Sequence, residues 1–201
     1  WYRFSADNAT FGAWTFHGTD SGAPWSWSFA WPEGRGYYEF YSRAWDGGGL
    51  YEDAPPSADA PYAFDDLPPS SAVIQTSAYW HNYQPVPVTV TANDTLSGVA
   101  SVELWYRFSS DNVSWGGWVL FGADDSSPFS FSFGWPSGEG VYQFCSRATD
   151  LAGNCEPMPA SHDGESGYDT VPPDTSVAAS GQYWHATSPH SISITAGFQL
   201  A

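Results

Sequence analysis

The sequence predicts an all-β protein of the β-sandwich class, and three observations support this prediction. Aromatic and β-branched residues alternate with Ser and Gly over short stretches, which is the period of strands with one buried face. Clusters of Gly, Pro, Asn and Asp separate these stretches at intervals of about ten residues. No stretch has the period of an amphipathic helix. Several short strands around one alternating core are typical of a β-sandwich.

The strand pattern returns along the chain at a fixed distance of 104 residues, with no gap. WYRFS at Trp1 returns at Trp105, and PWSWSFAWP at residues 24–32 returns as PFSFSFGWP at residues 128–136. An ungapped repeat keeps the spacing of strands and loops constant, and this length is sufficient for one sandwich domain with its own core. We therefore predict tandem sandwich domains of about seven strands each.

Paired prolines mark the expected domain boundaries at residues 68–69 and 172–173. Consecutive prolines stiffen an extended linker and cannot join a central strand. The sequence therefore predicts a complete domain at residues 68–171. Residues 1–67 are expected to form the later strands of a preceding domain, and residues 172–201 the first strands of the next one.

Alternation along the chain predicts which residues face the core. The predicted strands of the complete domain contain Val73–Ile74, Val86–Val90, Val102–Phe108, Trp118–Phe121, Phe129–Trp135 and Tyr142–Ala148. The expected inward positions of the last two strands and of the first copy are Phe129, Phe131, Phe133, Trp135, Tyr142, Phe144, Ser146, Ala148, Trp25, Trp27, Phe29 and Trp31. The residues between them, including Gln143, Cys145 and Arg147, are expected to face outward.

The two cysteines, Cys145 and Cys155, flank a turn, and in the first copy both positions are tyrosine, at Tyr41 and Tyr51. A joint replacement of two positions predicts contact across a hairpin, as a disulfide in one copy and an aromatic pair in the other. A disulfide would place the protein in an oxidising compartment. Two cysteines without neighbouring ligands do not complete a zinc site.

Three asparagines begin Asn-X-Ser/Thr sequences: Asn8, Asn93 and Asn112. Asn8 and Asn112 are equivalent in the repeat, and all three are expected in loops. N-glycosylation at these positions is therefore predicted, and it indicates a secreted protein.

The charge is strongly acidic, with a formal net charge of −17 and five cations, all of them Arg. Nucleic-acid binding needs a basic surface, so the composition excludes it as the function. No run of apolar residues approaches the length of a membrane span, so none is expected in this segment. A net negative charge favours solubility and the binding of cations.

Calcium is a candidate ligand because acidic residues recur near the expected domain junctions. The positions shared by both copies are Asp46 and Asp150, Asp59 and Asp163, and Asp65 and Asp169. Calcium takes six to eight oxygen ligands, and carboxylates at a junction can be shared between successive domains. Asp is also an ordinary turn residue, and no contiguous calcium loop is present, so the two interpretations remain open.

The alternation also predicts an outer contact between tryptophan and arginine. Its expected members are Trp1, Trp105, Arg3, Arg107, Arg43 and Arg147. A guanidinium over an indole face is a cation–π contact that stiffens a sheet. An exposed tryptophan can instead stack on a sugar ring, so a carbohydrate-binding module is the alternative interpretation.

The sequence lacks the motifs of an enzyme. His81 and its repeat equivalent His185 lie in Tyr-Trp-His sequences without an adjacent nucleophile or carboxylate, so a packed structural histidine is expected. Phosphate-binding loops, HExxH and GxSxG are all missing from the chain. A non-enzymatic protein is therefore predicted.

Three stretches resemble a known group of proteins. Residues 97–102 (SGVASV), the turn Asp150-Leu-Ala-Gly-Asn154 and the closing Tyr-Asp-Thr-Val-Pro-Pro at residues 168–173 are similar to tandem immunoglobulin-like and fibronectin-III-like repeats of archaeal and bacterial cell-surface proteins. The resemblance implies an extracellular stalk, adhesin, sheath or filament built from domains in a row. The first copy departs from it at residues 46–50, where the Asn is lost.

The expected partner is a further copy of the same chain. Incomplete sandwiches expose apolar faces and strand edges, so the strands of residues 172–201 are expected to complete residues 1–67 of the next unit, head-to-tail. The units could be joined covalently, as successive parts of one long repeat protein, or by strand exchange between chains. Both versions predict a linear fibre.

Overall fold

The computed structural model of the chain describes residues 1–74, 78–178 and 192–197. The regular structure of these residues is all β, as predicted. The strands are β1 (Tyr2–Ser5), β2 (Gly36–Phe40), β3 (Ala60–Phe64), β4 (Ser70–Ile74), β5 (Trp80–His81), β6 (Val86–Asn93), β7 (Val99–Ser109), β8 (Val119–Asp124), β9 (Ser130–Phe133), β10 (Gly140–Asp150), β11 (Gly164–Tyr168), β12 (Asp174–Ala178) and β13 (Ser193–Gly197).

The chain divides into two compact units. Unit 1 contains residues 1–69 together with residues 94–99 and 149–155. Unit 2 contains residues 70–93, residues 100–148 and the described residues from Glu156 onward. Two loops that the sequence assigns to the domain at residues 68–171 therefore belong by their contacts to unit 1.

Unit 1 is built on the antiparallel sheet β1-β2-β3. Tyr2 pairs with Phe40, and Gly36 pairs with Phe64. The side chain of Tyr38 is completely buried, and its ring contacts those of Tyr2 and Phe29. Because aromatic rings prefer edge-to-face and offset contacts, this cluster gives a small unit much apolar contact area.

Residues 24–31 of unit 1 lie outside its strands, and here the predicted inward pattern is wrong in part. Trp25 and Trp27 are exposed, while Phe29 and Trp31 are half-buried. Alternation predicts a buried face only where a second layer covers that face. Among the described residues of unit 1, no strand pairs with residues 24–31.

Unit 2 contains two sheets, with strand orders β4-β6-β9 and β5-β11-β10-β7-β8. The pairs β4–β6, β6–β9, β7–β8 and β10–β11 are antiparallel, and the pair β11–β5 is parallel. Phe133 on β9 is completely buried and contacts the rings of Tyr142 and Phe144 on β10. Val86, Val88 and Val90 on β6 are buried beside it. The inner faces of the two sheets thus form one core, as in a β-sandwich.

The outer face of β10 is not exposed as the alternation predicts. Gln143 and Cys145 are buried, and the prediction that they face solvent is wrong. Strand β10 is central in its sheet, so residues from both neighbours cover this face. The Arg107 Nε on β7 donates to Gln143 Oε1 at 2.8 Å, and Gln143 Nε2 donates to Glu165 Oε2 on β11 at 2.6 Å.

Strands β12 and β13 form a separate antiparallel hairpin sheet in unit 2, with Val177 opposite Ile194. Their described side chains are exposed on both faces. This exposure is unusual, since a two-stranded hairpin is marginally stable by itself in water.

Candidate functional site

Unit 1 contains a groove of about 1050 Å³. It is bordered by aromatic side chains that are about half exposed or more, namely Phe16, Trp25, Trp27, Trp45 and Tyr51. We call this surface the aromatic groove. Monomeric soluble proteins rarely expose contiguous apolar patches of this kind, and such patches mark interaction sites.

Two of these side chains, Trp25 and Trp27, have repeat equivalents in unit 2 that are covered, namely Phe129 and Phe131. Phe131 is 6% exposed, whereas its repeat equivalent Trp27 is 49% exposed. Phe131 is paired with Val88 of β6, and β6 is paired with β4 on its other side. In unit 1 the corresponding layer is missing among the described residues, so the aromatic side chains meet solvent.

A carboxylate holds one edge of the aromatic groove in shape. Asp20 accepts hydrogen bonds from the backbone N–H groups of Gly22 and Ser26, both at 3.0 Å. These two bonds lower the pKa of Asp20. Asp124 of unit 2 makes the equivalent bonds to Ser130 and Ser126, also at 3.0 Å, and its pKa is lowered for the same reason. The loop before Trp27 is therefore closed by the same hydrogen bonds as the equivalent loop before Phe131.

A second apolar surface lies on the β12–β13 hairpin. Val177, Ile192 and Ile194 are exposed there, at 63%, 71% and 70%. Val177 is directly opposite Ile194, and Ile192 lies two residues before Ile194, so the three side chains share one face. An exposed strand pair with an apolar face is a template for pairing with another chain.

Three carboxylates meet at another place in unit 1. Asp65, Asp94 and Asp150 each bring one oxygen within 4.8 Å of the others. Asp150 is only 2% exposed, and its two oxygens accept hydrogen bonds from Asn154 N at 2.7 Å and Asn154 Nδ2 at 2.8 Å. Oxygen donors of this kind suit a hard cation such as calcium.

Backbone groups complete this carboxylate cluster. Asp65 Oδ2 accepts from Ser97 N at 3.0 Å, and Asp94 Oδ1 accepts from Gly98 N at 2.7 Å. For Asp94, partial burial favours a higher pKa, but the backbone hydrogen bonds outweigh it and the pKa is lowered. The buried Ser97 Oγ has no hydrogen-bond partner among the described residues.

The structure brings together only two of the six aspartates considered for calcium. Asp65 and Asp150 lie in the cluster, and its third member, Asp94, was not anticipated from the sequence. The signal that could have identified Asp94 is its place at the start of a DTLSG turn, directly after β6. The remaining aspartates are in no cluster of three among the described residues and accept hydrogen bonds from nearby backbone N–H groups: Asp46, Asp59, Asp163 and Asp169.

The predicted disulfide is absent, and both cysteines are free. Cys155 pairs with Thr149 across the turn, and not with Cys145. Thr149 is four residues beyond Cys145 on β10, which corresponds to about 13 Å along a strand. A disulfide needs Cα atoms within about 7 Å, so this register does not allow it.

The first copy has the same register, so its expected aromatic pair is also different. Tyr51 pairs with Trp45, which is the repeat equivalent of Thr149, and their ring centroids are 5.9 Å apart. Tyr41 stacks on Trp1 instead, at 5.9 Å, and contacts Trp14 edge-on at 4.5 Å. The joint replacement of two residues therefore did not reflect direct contact between them.

The cation–π contacts involve other aromatic residues than the sequence analysis predicted. Arg3 lies over Trp14 at 4.6 Å, and Arg107 lies over Trp118 at 4.9 Å. Arg43 and Arg147 donate to the backbone oxygens of Glu52 at 2.6 Å and Glu156 at 2.8 Å. Trp1 stacks on Tyr41, and Trp105 Nε1 donates to Glu103 Oε2 at 3.0 Å.

The three predicted glycosylation sites and one of the two predicted structural histidines lie among the described residues. Asn8, Asn93 and Asn112 are all exposed, although Asn93 is the last residue of β6 and not part of a loop. His81 is buried, and its ring lies 5.5 Å from that of Trp135. His185 lies outside the described residues.

Comparison with protein-family models and with curated proteins gives no significant match. Among the described residues there is no helix long and apolar enough to cross a membrane.

Proposed function

We propose that this chain is a non-enzymatic, extracellular structural protein, a segment of a head-to-tail filament, stalk or sheath built from immunoglobulin-like domains. One observation carries the proposal. Trp25 and Trp27 in the aromatic groove, and Val177, Ile192 and Ile194 on the β12–β13 hairpin, are exposed, whereas their repeat equivalents are buried inside unit 2.

The strand order of unit 2 supports immunoglobulin-like domains. In such domains the strands A, B and E share one sheet, while C, F and G form the other, with an optional strand beside C. Unit 2 has β4-β6-β9 in one sheet and β8-β7-β10-β11-β5 in the other. In the first sheet, β4, β6 and β9 occupy the positions A, B and E, and in the second, β8, β7, β10 and β11 occupy the positions C′, C, F and G. The short strand β5 lies beside β11 at the edge of the second sheet.

The positions of the strands also support a repeat of 104 residues. When 104 is added to its residue numbers, each of the strands β1, β2 and β3 falls within a strand of the second copy. When 104 is subtracted, β12 and β13 fall within β4 and β6. The equivalent pairs are β1 with the end of β7, β2 with the start of β10, β3 with β11, β4 with β12, and the second half of β6 with β13.

Two complementary surfaces at different places on one chain favour an open assembly. A contact that joins two different surfaces is heterologous, and it produces a linear filament when it does not close into a ring. A chain of sandwiches joined this way has no need of a catalytic centre. Its function would be mechanical: to hold a surface or a fibre together outside the cell.

Sedimentation and electron microscopy of the full chain test the proposal. We expect the wild-type protein to show a sedimentation coefficient that rises with concentration, and linear fibres on grids. Trp27→Asp places a charge in the aromatic groove and should abolish both. Val113→Asp is the matched control, because Val113 is an exposed apolar residue of unit 2 outside the groove and the hairpin.

The salt dependence gives a second readout. The chain carries a net charge of −17, so copies repel each other, and salt screens this repulsion. Association through apolar surfaces should therefore strengthen with ionic strength. A wild-type protein that stays monomeric at all concentrations and salt levels, without fibres, would contradict the proposed function.

A surface adhesin or carbohydrate-binding module is the second candidate. Trp25, Trp27 and Trp45 are exposed in one groove, and an indole face can stack on a sugar ring. A glycan array separates the two functions. Specific binding to one glycan that is lost in Trp27→Ala, in a protein that does not self-associate, would favour the adhesin.

The extracellular location is supported by the accessibility of Asn8, Asn93 and Asn112, which are all exposed. Mass spectrometry of the native material should find glycans on these side chains. Three unmodified asparagines in the native protein would remove this support, while leaving the assembly proposal to be judged by sedimentation.

A further inference from the structure

We infer that the aromatic groove is occupied by the β12–β13 hairpin of a second copy, with residues 192–194 antiparallel to residues 25–27 and Ile192 opposite Trp27. This inference rests on the proposed head-to-tail assembly, and it names the contact and its register. The result would be a sandwich completed by strands from a neighbouring chain.

Unit 2 shows how the face is covered when it is complete. β6 lies between β4 and β9, with Val73 opposite Val90 and Val88 opposite Phe131. The backbone N–H of Val90 donates to the carbonyl oxygen of Phe129 at 3.1 Å. Each of these side chains is buried.

The β12–β13 hairpin carries the equivalents of the covering residues. Val177, Ile192 and Ile194 correspond to Val73, Val88 and Val90. The hairpin also has the same register, because Val177 is opposite Ile194 as Val73 is opposite Val90. A strand pair with the right spacing is therefore formed before it meets the groove.

The groove carries the equivalents of the covered residues. Trp25 and Trp27 correspond to Phe129 and Phe131, and they are exposed where the phenylalanines are buried. In unit 2 the covering residues and the covered residues are both buried against each other. Their repeat equivalents on the hairpin and in the groove are both exposed. No other occupant follows from the described residues with this position-by-position match.

The contact buries apolar area on both sides. Trp25 and Trp27 are 68% and 49% exposed, so they present roughly 230 Å² of surface, taking about 200 Å² for a whole aromatic side chain. Val177, Ile192 and Ile194 of the hairpin are 63%, 71% and 70% exposed. Backbone hydrogen bonds along the added strand would supply further affinity, as in other cases of strand addition.

The register provides a direct test by cross-linking. In unit 2, Thr89 is opposite Ser130, so the inferred contact places Ser193 opposite Ser26. Because the Val90 N–H donates to the Phe129 carbonyl oxygen, the neighbouring pair of residues is of the non-hydrogen-bonded type, in which side chains lie closest. Cysteines at such a pair are within reach of a disulfide.

The experiment mixes two full-length variants, Ser26→Cys and Ser193→Cys, each in a Cys155→Ser background because Cys155 is the exposed native thiol. Under mild oxidation we expect the mixture to yield a disulfide-linked dimer whose peptides join positions 26 and 193. Ser28→Cys mixed with Ser193→Cys is the control. It is two residues out of register, about 7 Å along the strand, and should cross-link several-fold less.

The outcomes separate this inference from the proposed function. If wild-type fibres form but the Ser26→Cys and Ser193→Cys variants cross-link no better than the control, the hairpin or its register is wrong and the filament stands. If the chain never associates, both fail. A single chain carrying both substitutions that forms the bond internally, as a monomer, would overturn the second copy as the occupant.

Discussion

Truncating two equivalent aromatic residues should have opposite consequences for stability and assembly. Phe131 is 6% exposed inside unit 2, and Trp27 is 49% exposed in the aromatic groove. Phe131→Ala leaves a cavity in a packed core, which typically costs about 3–5 kcal/mol of unfolding free energy. Trp27→Ala removes a side chain with half its surface in water, so the cost to the monomer should be below about 1 kcal/mol.

Urea unfolding followed by circular dichroism measures the difference, at protein concentrations below association. For a unit of this size the urea dependence is roughly 1–3 kcal/mol per molar, so Phe131→Ala should lower the midpoint of unit 2 by at least about 1 M. Trp27→Ala should leave the midpoints of the monomer almost unchanged. In the assembled protein, by contrast, Trp27→Ala should dissolve the fibres.

An equal loss of stability for the two variants in the monomer would refute this reasoning. Such a result would mean that Trp27 is already covered in the dispersed chain. The aromatic groove would then not be an open surface, and neither the assembly nor its register could depend on it.

Three further predictions concern other features of the chain. A thiol reagent should modify Cys155 but not Cys145 in the native protein, since Cys155 is exposed, while burial raises the pKa of Cys145 to about 12. If neither thiol reacts in denatured, unreduced protein, the two cysteines form the predicted disulfide after all. Gly140→Ala should cost more than about 2 kcal/mol of unfolding free energy in urea, because φ is 140° and a Cβ would lie 2.7 Å from the Ser109 carbonyl oxygen on the neighbouring strand β7. Gly122→Ala is the control, since a Cβ there meets open space, and it should change the unfolding free energy by less than about 0.5 kcal/mol. Calcium should raise the melting temperature, since the carboxylates of Asp65, Asp94 and Asp150 lie within 4.8 Å of one another, and Asp94→Asn should remove that rise. Identical melting curves in calcium and in EDTA would exclude a calcium site at this cluster.

Local patterns in the sequence determined the class of structure and much of the core. The alternation at Phe129, Phe131, Phe133 and Trp135 correctly predicted four buried side chains. Alternation is enough for this because a strand turns every second side chain to the same face, whatever lies elsewhere in the chain. The charge and the repeat are likewise properties of the sequence alone.

Tertiary structure decided which faces are covered. Trp25 and Trp27 have the same alternation as their equivalents and are nevertheless exposed, since burial needs a second layer that the pattern of one strand cannot report. Cys145 departs from the prediction in the opposite direction, since it was expected to be exposed and is buried. Its strand is central in a five-stranded sheet, and neighbouring strands cover the face that the alternation predicted to meet solvent.

Register and long-range proximity were also beyond the sequence. A separation of ten residues suggested that Cys145 faces Cys155, but the turn pairs Cys155 with Thr149, and the register of a hairpin depends on the turn geometry. Asp94 joins Asp65 and Asp150 only because three distant turns converge in space. The sequence by itself determined which residues alternate and which positions repeat; the tertiary structure decided which of them are covered, because burial and proximity depend on segments that are remote along the chain.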